Sequence, residues 1–476
     1  MLTLLGSPQR VCHGTSRRQL LQAAGMGLLG VGLPQVHAAE ALQRPREAKA
    51  KSILFLYIYG GPSQLETFDM KPEAPSGIRG PFQPIASRTP GLLISQHLPR
   101  MAAMSDKFSV IRTMTHTHNN HHACHWIQTG RPWHLPETIL NATPDKDCPA
   151  IGSMIEHLDQ RDPARTGREI PSYWYVPAPL GHLQGYDYPG QYAGWLGRSF
   201  NALATNFRRR DAKDNPYFRD IAEEELNLKL QGLDPQPELV LDRLNRRQTL
   251  LQQFDSARRS LDESRREQTH DQLWRRAFDL ANSAAIRQAL DIRQESSALR
   301  DRYGRHLFGQ AAILGRRLIE VGGRFVTVQW EAPDGYSWDS HIHSNDVEKQ
   351  LSPRLDQTYT ALIEDMSERG LLDDTLVVLI SEMGRGPLSA PPWGRGHWCH
   401  AFPAVLAGGG IKGGTTYGKT DKDAGYPADH PVSPADLAAT LFHALGIDPA
   451  LRIIDSQGRP VPLVEDSGRP ITELFG

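Results

Sequence analysis

The chain has 476 residues, enough to bury a large core, and length alone would allow two or three domains. Its 53 Lys and Arg residues are balanced by 54 Asp and Glu residues, which gives no basic surface for nucleic acid or an anionic membrane. Hydrophobic residues make up 39% of the chain, and 42 Gly with 35 Pro favour many ordered loops over a helical bundle. We therefore expect a globular protein with no nucleic-acid partner.

The first 38 residues have the pattern of a twin-arginine signal peptide. Residues 16–21 read Ser-Arg-Arg-Gln-Leu-Leu, and a stretch rich in Gly, Ala and Leu follows at 20–33. Small residues at 36 and 38 would allow cleavage after Ala38. The apolar stretch is short and glycine-rich for a membrane span. We expect no transmembrane segment and an exported bacterial protein, periplasmic or extracellular.

Six short apolar runs predict buried strands. The first, 51–59, ends in Gly-Gly-Pro, which is typical of a strand closed by a turn. The others are 108–114, 172–176, 324–330, 375–381 and 402–407. Helical patterns separate several of them, most clearly at 347–369 and at 434–445, where Ser433 is a predicted N-cap. Strands that alternate with helices predict an α/β fold, with a mostly parallel sheet covered by helices on both faces.

Residues from about 215 to 320 differ in composition. They are rich in Arg, Glu, Gln and Leu, contain few strand formers, and have the pattern of three or four amphipathic helices. Because the α/β pattern resumes afterwards, we interpret this stretch as a helical insertion in a domain that covers about 50–470.

Five of the 19 histidines lie within ten residues: His116, His118, His121, His122 and His125. The last four are spaced i, i+3, i+4 and i+7, so a helix would place them on one face. Imidazole is a common metal ligand and titrates nearest neutral pH. The pattern predicts a catalytic or metal site, and a histidine-rich loop that satisfies its own hydrogen bonds is the alternative.

Acidic and histidine side chains also follow other predicted strands, where sites of open α/β sheets gather. They are Glu66, Asp69, Asp339, His341, His343, Glu382, His397 and His400. Two imidazoles and a carboxylate suffice for a catalytic metal with an open position, and ligands from several segments can build a two-metal site. With nitrogen and carboxylate donors mixed, we expect one or two divalent ions, zinc or manganese. Free amides at the start of the histidine-bearing helix, supplemented by Arg131 and Arg385, would attract phosphate or sulfate.

Eight motifs in this order resemble the alkaline phosphatase–sulfatase superfamily, and more closely its exported bacterial branch called domain of unknown function 1501. The motifs are G-G-P-S-x-x-x-T-F-D (60–69), I-R-T-M-T-H (111–116), T-G-R (129–131), W-D-S-H (338–341), S-E-M-G-R (381–385), G-R-G-H-W (394–398), A-G-G-G-I-K-G-G (407–414) and S-P-A-D-L-A-A-T-L-F-H-A-L-G-I (433–447). The resemblance covers roughly 50–470. It implies one alkaline-phosphatase-like α/β sandwich with a metal-centred site at one sheet edge.

The resemblance also implies a set of metal ligands. Carried over by motif, Asp339 and His341 would hold one metal, and Glu382 stands where relatives place an Asp for a second. Asp69 takes the place of the carboxylate after the first strand, and His397 matches a late histidine ligand. Glu66 is the alternative to Asp69, and His343 or His400 could replace a neighbour.

The chain departs from the superfamily at the nucleophile. Sulfatases carry a modified Cys or Ser nine residues before the Thr of T-G-R, and counting back from Thr129 gives Asn120. An amide is no nucleophile, and Cys124 replaces the Arg of that motif, so a formylglycine mechanism is not expected. Thr115 and Thr117 are near, whereas Cys124 lies four residues late and is expected to be a packed thiol.

These observations predict an exported metal-dependent hydrolase that uses metal-activated water on phosphate or sulfate esters. Its substrate would be an anionic small molecule or a polysaccharide ester. His116, His121 and His125 would orient the substrate or shuttle protons. The alternative is a catalytically inactive superfamily member that binds an anionic polymer or a protein partner.

Overall fold

The computed structural model describes residues 47–135, 141–143, 145–165, 170–230, 283–331, 333, 337–342, 344–390, 393–465 and 467–476. The predicted signal peptide, the middle of the predicted insertion and His343 lie outside the described residues. Within the described ranges, no helix has both the length and the apolar character needed to cross a bilayer.

Seventeen strands are present in the described part of the chain. They are β1 (Ser52–Ile58), β2 (Pro84–Ala86), β3 (Leu93–Ser95), β4 (Phe108–Met114), β5 (Tyr173–Val176), β6 (Leu203–Asn206), β7 (Lys229–Leu230), β8 (Phe325–Trp330), β9 (Thr375–Ile380), β10 (Gly384–Ala390), β11 (Gly394–Trp398), β12 (Phe402–Ala407), β13 (Thr415–Tyr417), β14 (Lys419–Thr420), β15 (Pro427–Asp429), β16 (Arg452–Ile454) and β17 (Pro460–Pro462). All six predicted strands are confirmed, with ends that differ by no more than one residue.

The described α-helices are α1 (Ser76–Arg79), α2 (Pro99–Ala103), α3 (Ala123–Thr129), α4 (Ile151–Asp159), α5 (Ala284–Leu290), α6 (Ser297–Tyr303), α7 (Leu307–Glu320), α8 (Ser352–Glu368) and α9 (Pro434–Ala444). A short turn of helix, Ser344–Asp346, and a wider π-helical turn, Val347–Leu351, precede α8. Ser433 caps α9 as predicted, since its side chain accepts a hydrogen bond from the amide of Asp436.

Nine strands form one sheet in the order β13-β4-β12-β9-β1-β8-β5-β6-β7. The central strand β1 runs parallel to both β8 and β9, whereas β12 runs antiparallel to both β4 and β9. The sheet is therefore mixed and mostly parallel, which confirms the predicted α/β fold.

Helices cover both faces of this sheet. All seven residues of β1 are buried, as expected of a strand enclosed on both sides. Leu54 lies in one apolar cluster with Leu314 of α7 and Leu362 of α8, whereas Phe55 lies in the other cluster with Leu441 of α9. The strand thus separates two cores, each closed by helices.

One helix prediction is wrong. A helix was expected to place four histidines on one face, but α3 begins only at Ala123 and includes His125 alone of the four. The carboxamide Oδ1 of Asn120 accepts hydrogen bonds from the amide and the ring of His122, both at 3.0 Å. Asn side chains that bond nearby backbone in this way compete with helix formation. His121 and His122 therefore lie in a turn that precedes the helix, and His118 lies in irregular backbone before that turn.

Of the predicted helical insertion, the structure describes 215–230 and 283–320. These ranges contain β7 and three helices, α5, α6 and α7. The helix α7 packs against β8 and β1, so it is one of the helices that cover the main sheet.

Candidate metal centre

The candidate site lies where several strands of the main sheet end. Asp339 belongs to the segment after β8, Glu382 follows β9, and His121 lies in the turn after β4. His397 lies on β11, which pairs with β10 in a separate two-stranded hairpin. These segments meet because β8 and β9 flank β1 in parallel, which brings their carboxyl ends to one edge.

Three side chains form the centre of the site, and we call them the His121–Asp339–His397 group. Their donor atoms all lie within 4.8 Å of one another. Asp339 Oδ2 is 3.1 Å from His121 Nε2, and Asp339 Oδ1 is 3.2 Å from His397 Nε2. The three side chains are 18%, 17% and 20% exposed, in that order, so the group is sheltered but open to solvent.

His341 lies at the solvent side of this group. Its Nε2 is 3.0 Å from Asp339 Oδ1 and 3.0 Å from His397 Nε2, and its side chain is 46% exposed. Two imidazole nitrogens this close need a proton or a cation between their lone pairs.

The donor set fits a divalent metal. Two imidazole nitrogens and one carboxylate oxygen match the three protein ligands of catalytic zinc sites, which leave another position for water or substrate. His341 is near enough to supplement the set. The mixture of nitrogen and oxygen donors also suits manganese.

Arg385 holds Asp339 in place and is not available for an anion. Its guanidinium pairs with Asp339 Oδ1 and the carbonyl of Gly60, and its Nε donates to the carbonyl of Gly61 at 2.8 Å. The side chain is buried, and its Nη1 also donates to the carbonyl of Arg395 at 3.3 Å, so each of its three nitrogens has an acceptor. The suggested role of Arg385 in attracting phosphate or sulfate therefore lacks a free guanidinium.

The electrostatics of the group favour charged forms. Burial opposes ionisation of Asp339, but hydrogen bonds from His121 and His397 outweigh it and hold the pKa of Asp339 well below its usual range. Burial likewise favours neutral His121, but its hydrogen bonds to Asp339 and Glu382 raise the pKa of His121 to about 9. Without a metal, His121 is an imidazolium between two carboxylates.

Glu382 contacts the His121–Asp339–His397 group through the imidazole of His121. Its Oε1 lies 2.7 Å from His121 Nδ1 and accepts from the amide of Gly60 at 2.9 Å. Its Oε2 accepts from the hydroxyls of Tyr57 at 3.1 Å and Ser381 at 2.9 Å. The side chain is fully buried. Burial raises its pKa, but hydrogen bonding to His121 more than compensates, and the net shift is downward.

Only one of the three histidines predicted to be catalytic lies in the group. His116 is buried beside Glu382, and its Nε2 lies 2.6 Å from the backbone carbonyl oxygen of Glu382. Burial lowers the pKa of His116 to about 4. His125 turns towards the carbonyl of Arg131 at 3.0 Å and the ring of Trp133, and burial lowers its pKa to about 3.

Asp69 and its alternative Glu66 are both outside the group of possible metal ligands. The carboxylate of Asp69 bonds the hydroxyl of Thr420 and the ammonium of Lys71, the latter at 2.9 Å. Glu66 forms a buried ion pair with Arg395 at 2.7 Å. In each case a cation of the protein already neutralises the carboxylate.

The remaining candidates have structural partners. His400 packs between the rings of Trp398 and Tyr426, with centroids at 5.0 and 5.2 Å. Arg131 donates to the carbonyl of Pro462 at 2.5 Å. Cys124 is buried and donates to a carbonyl at 3.2 Å, and burial raises its pKa, as fits a packed thiol.

Sequence reasoning missed Tyr57 and treated Ser381 only as part of a motif. Tyr57 lies within the apolar run of β1, and its hydroxyl is the only signal that it could serve a site. Ser381 adjoins Glu382 directly, so its position at the end of β9 was a usable signal.

Comparisons with known proteins give one family match and several distant structural matches. No curated protein matches the chain. Similar solved structures include a protein in the alkaline phosphatase superfamily from Vibrio parahaemolyticus, with 11% identity, 91% of this chain and 73% of that chain covered, and a TM-score of 0.40. Another is the phosphonate monoester hydrolase SpPMH from Silicibacter pomeroyi, with 13% identity, 89% of this chain and 76% of that chain covered, and a TM-score of 0.35. A third is the PsFucS1 sulfatase from Pseudoalteromonas sp., with 11% identity, 87% of this chain and 72% of that chain covered, and a TM-score of 0.35.

The family is shown by the sequence itself. Residues 50–475 match the profile of the family described as "Protein of unknown function (DUF1501)", which covers most of the chain and confirms the predicted resemblance. This protein belongs to the DUF1501 family.

Proposed function

We propose that this protein is an exported, metal-dependent hydrolase that cleaves phosphate or sulfate esters with metal-activated water. The observation that carries the proposal is the convergence of His121, Asp339 and His397 from three distant segments, with donor atoms within 4.8 Å. An apolar core would stabilise the chain at least as well as these partly buried polar groups do. Ligand binding therefore explains their convergence best.

His121, Asp339 and His397 would hold the cation, zinc or manganese, with His341 beside them. When bound, the cation would polarise the ester oxygen and lower the pKa of a coordinated water. Arg385 keeps Asp339 ionised and oriented through their ion pair. His341, half-exposed at the entrance, would exchange a proton with solvent or the leaving group when its Nε2 is not bound to the cation.

The departure at the nucleophile supports direct attack by water. Asn120 occupies the position that the superfamily resemblance assigns to the nucleophile, and its carboxamide is engaged with His122. With no hydroxyl or thiol at that place, a covalent intermediate on residue 120 is not expected.

The test combines metal content with turnover. Purified protein should bind one equivalent of zinc or manganese and hydrolyse 4-nitrophenyl phosphate, phosphonate or sulfate esters. His397→Ala should lose both properties. His182→Ala, a matched change at an exposed histidine that contacts Asn206, should keep them. Absence of metal binding by the unaltered chain would refute the proposal.

The second candidate is a non-catalytic relative that binds an anionic polymer or a protein partner. Asn120 at the nucleophile position favours it as well. Stoichiometric metal binding with no turnover of any of the three ester classes would support this alternative, whereas turnover lost in His397→Ala would exclude it.

A further inference from the structure

We propose that Glu382 is a positioning residue that fixes the imidazole of His121 for the metal, and that it is not itself a metal ligand. This inference rests on the proposed function, because it concerns the same cation. It replaces the expectation from sequence that Glu382 would hold a second metal.

The carboxylate of Glu382 is surrounded by hydrogen-bond donors. An ionised carboxylate offers about four lone-pair sites. Four donors surround this one at hydrogen-bonding distance: His121 Nδ1, the amide of Gly60, and the hydroxyls of Tyr57 and Ser381. A direct bond to a cation would require the carboxylate to give up one of these donors in a fully buried setting.

The ring of His121 directs one nitrogen at Glu382 and the other at Asp339. Its Nδ1 lies 2.7 Å from Glu382 Oε1, and its Nε2 points to Asp339 Oδ2 at 3.1 Å. A proton on Nδ1 that is donated to Glu382 leaves the Nε2 lone pair for the cation. Carboxylates commonly orient metal-bound histidines in this way and make them better ligands.

His121 lies outside any helix or strand. It lies in the turn before α3, whereas Glu382 follows β9 and Tyr57 belongs to β1, the central strand of the sheet. The ring of His116 also contacts the backbone of Glu382, because His116 Nε2 lies 2.6 Å from the carbonyl oxygen of Glu382. Glu382 therefore links the side chain of His121, which lies on a turn, to two strands of the main sheet.

The experiment measures metal binding rather than activity. In Glu382→Gln, which keeps the size of the side chain, zinc affinity should fall about 10- to 100-fold in a chelator competition at about pH 10, where His121 is mostly neutral in both proteins. At saturating Co2+, its visible absorption spectrum should match that of the unaltered protein, because the set of ligand atoms is unchanged. The control is Glu331→Gln, the same change at a buried strand-end carboxylate held by Gln184 and Gln329, where affinity should not change.

The outcomes separate the two proposals. If the unaltered chain binds no metal, the proposed function fails and this inference fails with it. If it binds metal and Glu382→Gln keeps full affinity, or if the Co2+ spectrum changes as for a lost oxygen ligand, only the positioning role is refuted. Should Glu382→Gln not fold, Tyr57→Phe and Ser381→Ala each remove one donor and leave the carboxylate. Undiminished affinity in both would then overturn the inference.

Discussion

Metal binding should release the proton that His121 carries in the metal-free protein. Its hydrogen bonds to Asp339 and Glu382 raise the pKa of His121 to about 9. The cation and this proton compete for the same atom, Nε2. Metal affinity should therefore be highest at alkaline pH and should fall as pH decreases below about 9, because more of the imidazole is then protonated.

The size of the effect follows from the raised pKa. At about pH 8, about 0.9 of the His121 side chains are protonated, so about 0.9 proton should leave on saturation with zinc. Well below pH 9 the affinity should decrease about tenfold for each pH unit, and between pH 9 and pH 7 it should decrease about 50-fold, or about 2.3 kcal/mol. At about pH 8 a histidine with the ordinary pKa of about 6.5 is already neutral and contributes little.

Isothermal titration calorimetry in buffers of different ionisation enthalpy measures the released protons directly. A metal-bound water could also release a proton, and Glu382→Gln provides the correction. Removing this partner should bring the pKa of His121 towards its ordinary value and reduce the release at about pH 8 by about half a proton or more. Equal release from the two proteins, or affinity independent of pH between about 7 and 9, would refute the account of His121 as an imidazolium between carboxylates.

Three further predictions concern the fold and export. Leu54→Ala should lower the free energy of unfolding by about 2–5 kcal/mol in urea denaturation, because it opens a cavity beside the central strand; a smaller loss would contradict the described packing. Arg395→Met should cost about 3–5 kcal/mol by the same assay, since it leaves the buried carboxylate of Glu66 without its partner, and Glu66→Gln in the same chain should restore part of this. Replacing Arg17 and Arg18 by Lys should keep the protein in the cytoplasm on cell fractionation; unchanged export would exclude the twin-arginine route.

The strands were predictable because enclosed strands leave a plain signature in sequence. The run 51–59 is almost wholly apolar, and each residue of β1 is buried. The antiparallel direction of β12 within the sheet was not predictable, since an apolar run such as 402–407 has the same composition in either direction. The histidine helix was mispredicted because periodicity ignores the competing hydrogen bonds of Asn120.

The site was predictable to the level of segments but not of individual ligands. Position after a strand indicated Asp339 and Glu382, yet Asp69 satisfied the same rule and is bound by Lys71. These three carboxylates differ in the partner that the fold brings near to each of them. Such a partner is often hundreds of residues away in the sequence. Glu66 and Arg395 are 329 positions apart, and no local pattern connects them.

In the described residues, the hairpin of β10 and β11 supplies His397 but shares no ladder with the main sheet. Its contacts with the rest of the protein include the buried ion pair of Arg395 with Glu66 and the ion pair of Arg385 with Asp339. Substitutions at exposed positions of β10 such as Leu388 can therefore accumulate without disturbing either core. Exchange of this hairpin for that of another family member should therefore change the surroundings of His397 while the nine-stranded sheet keeps its strand order.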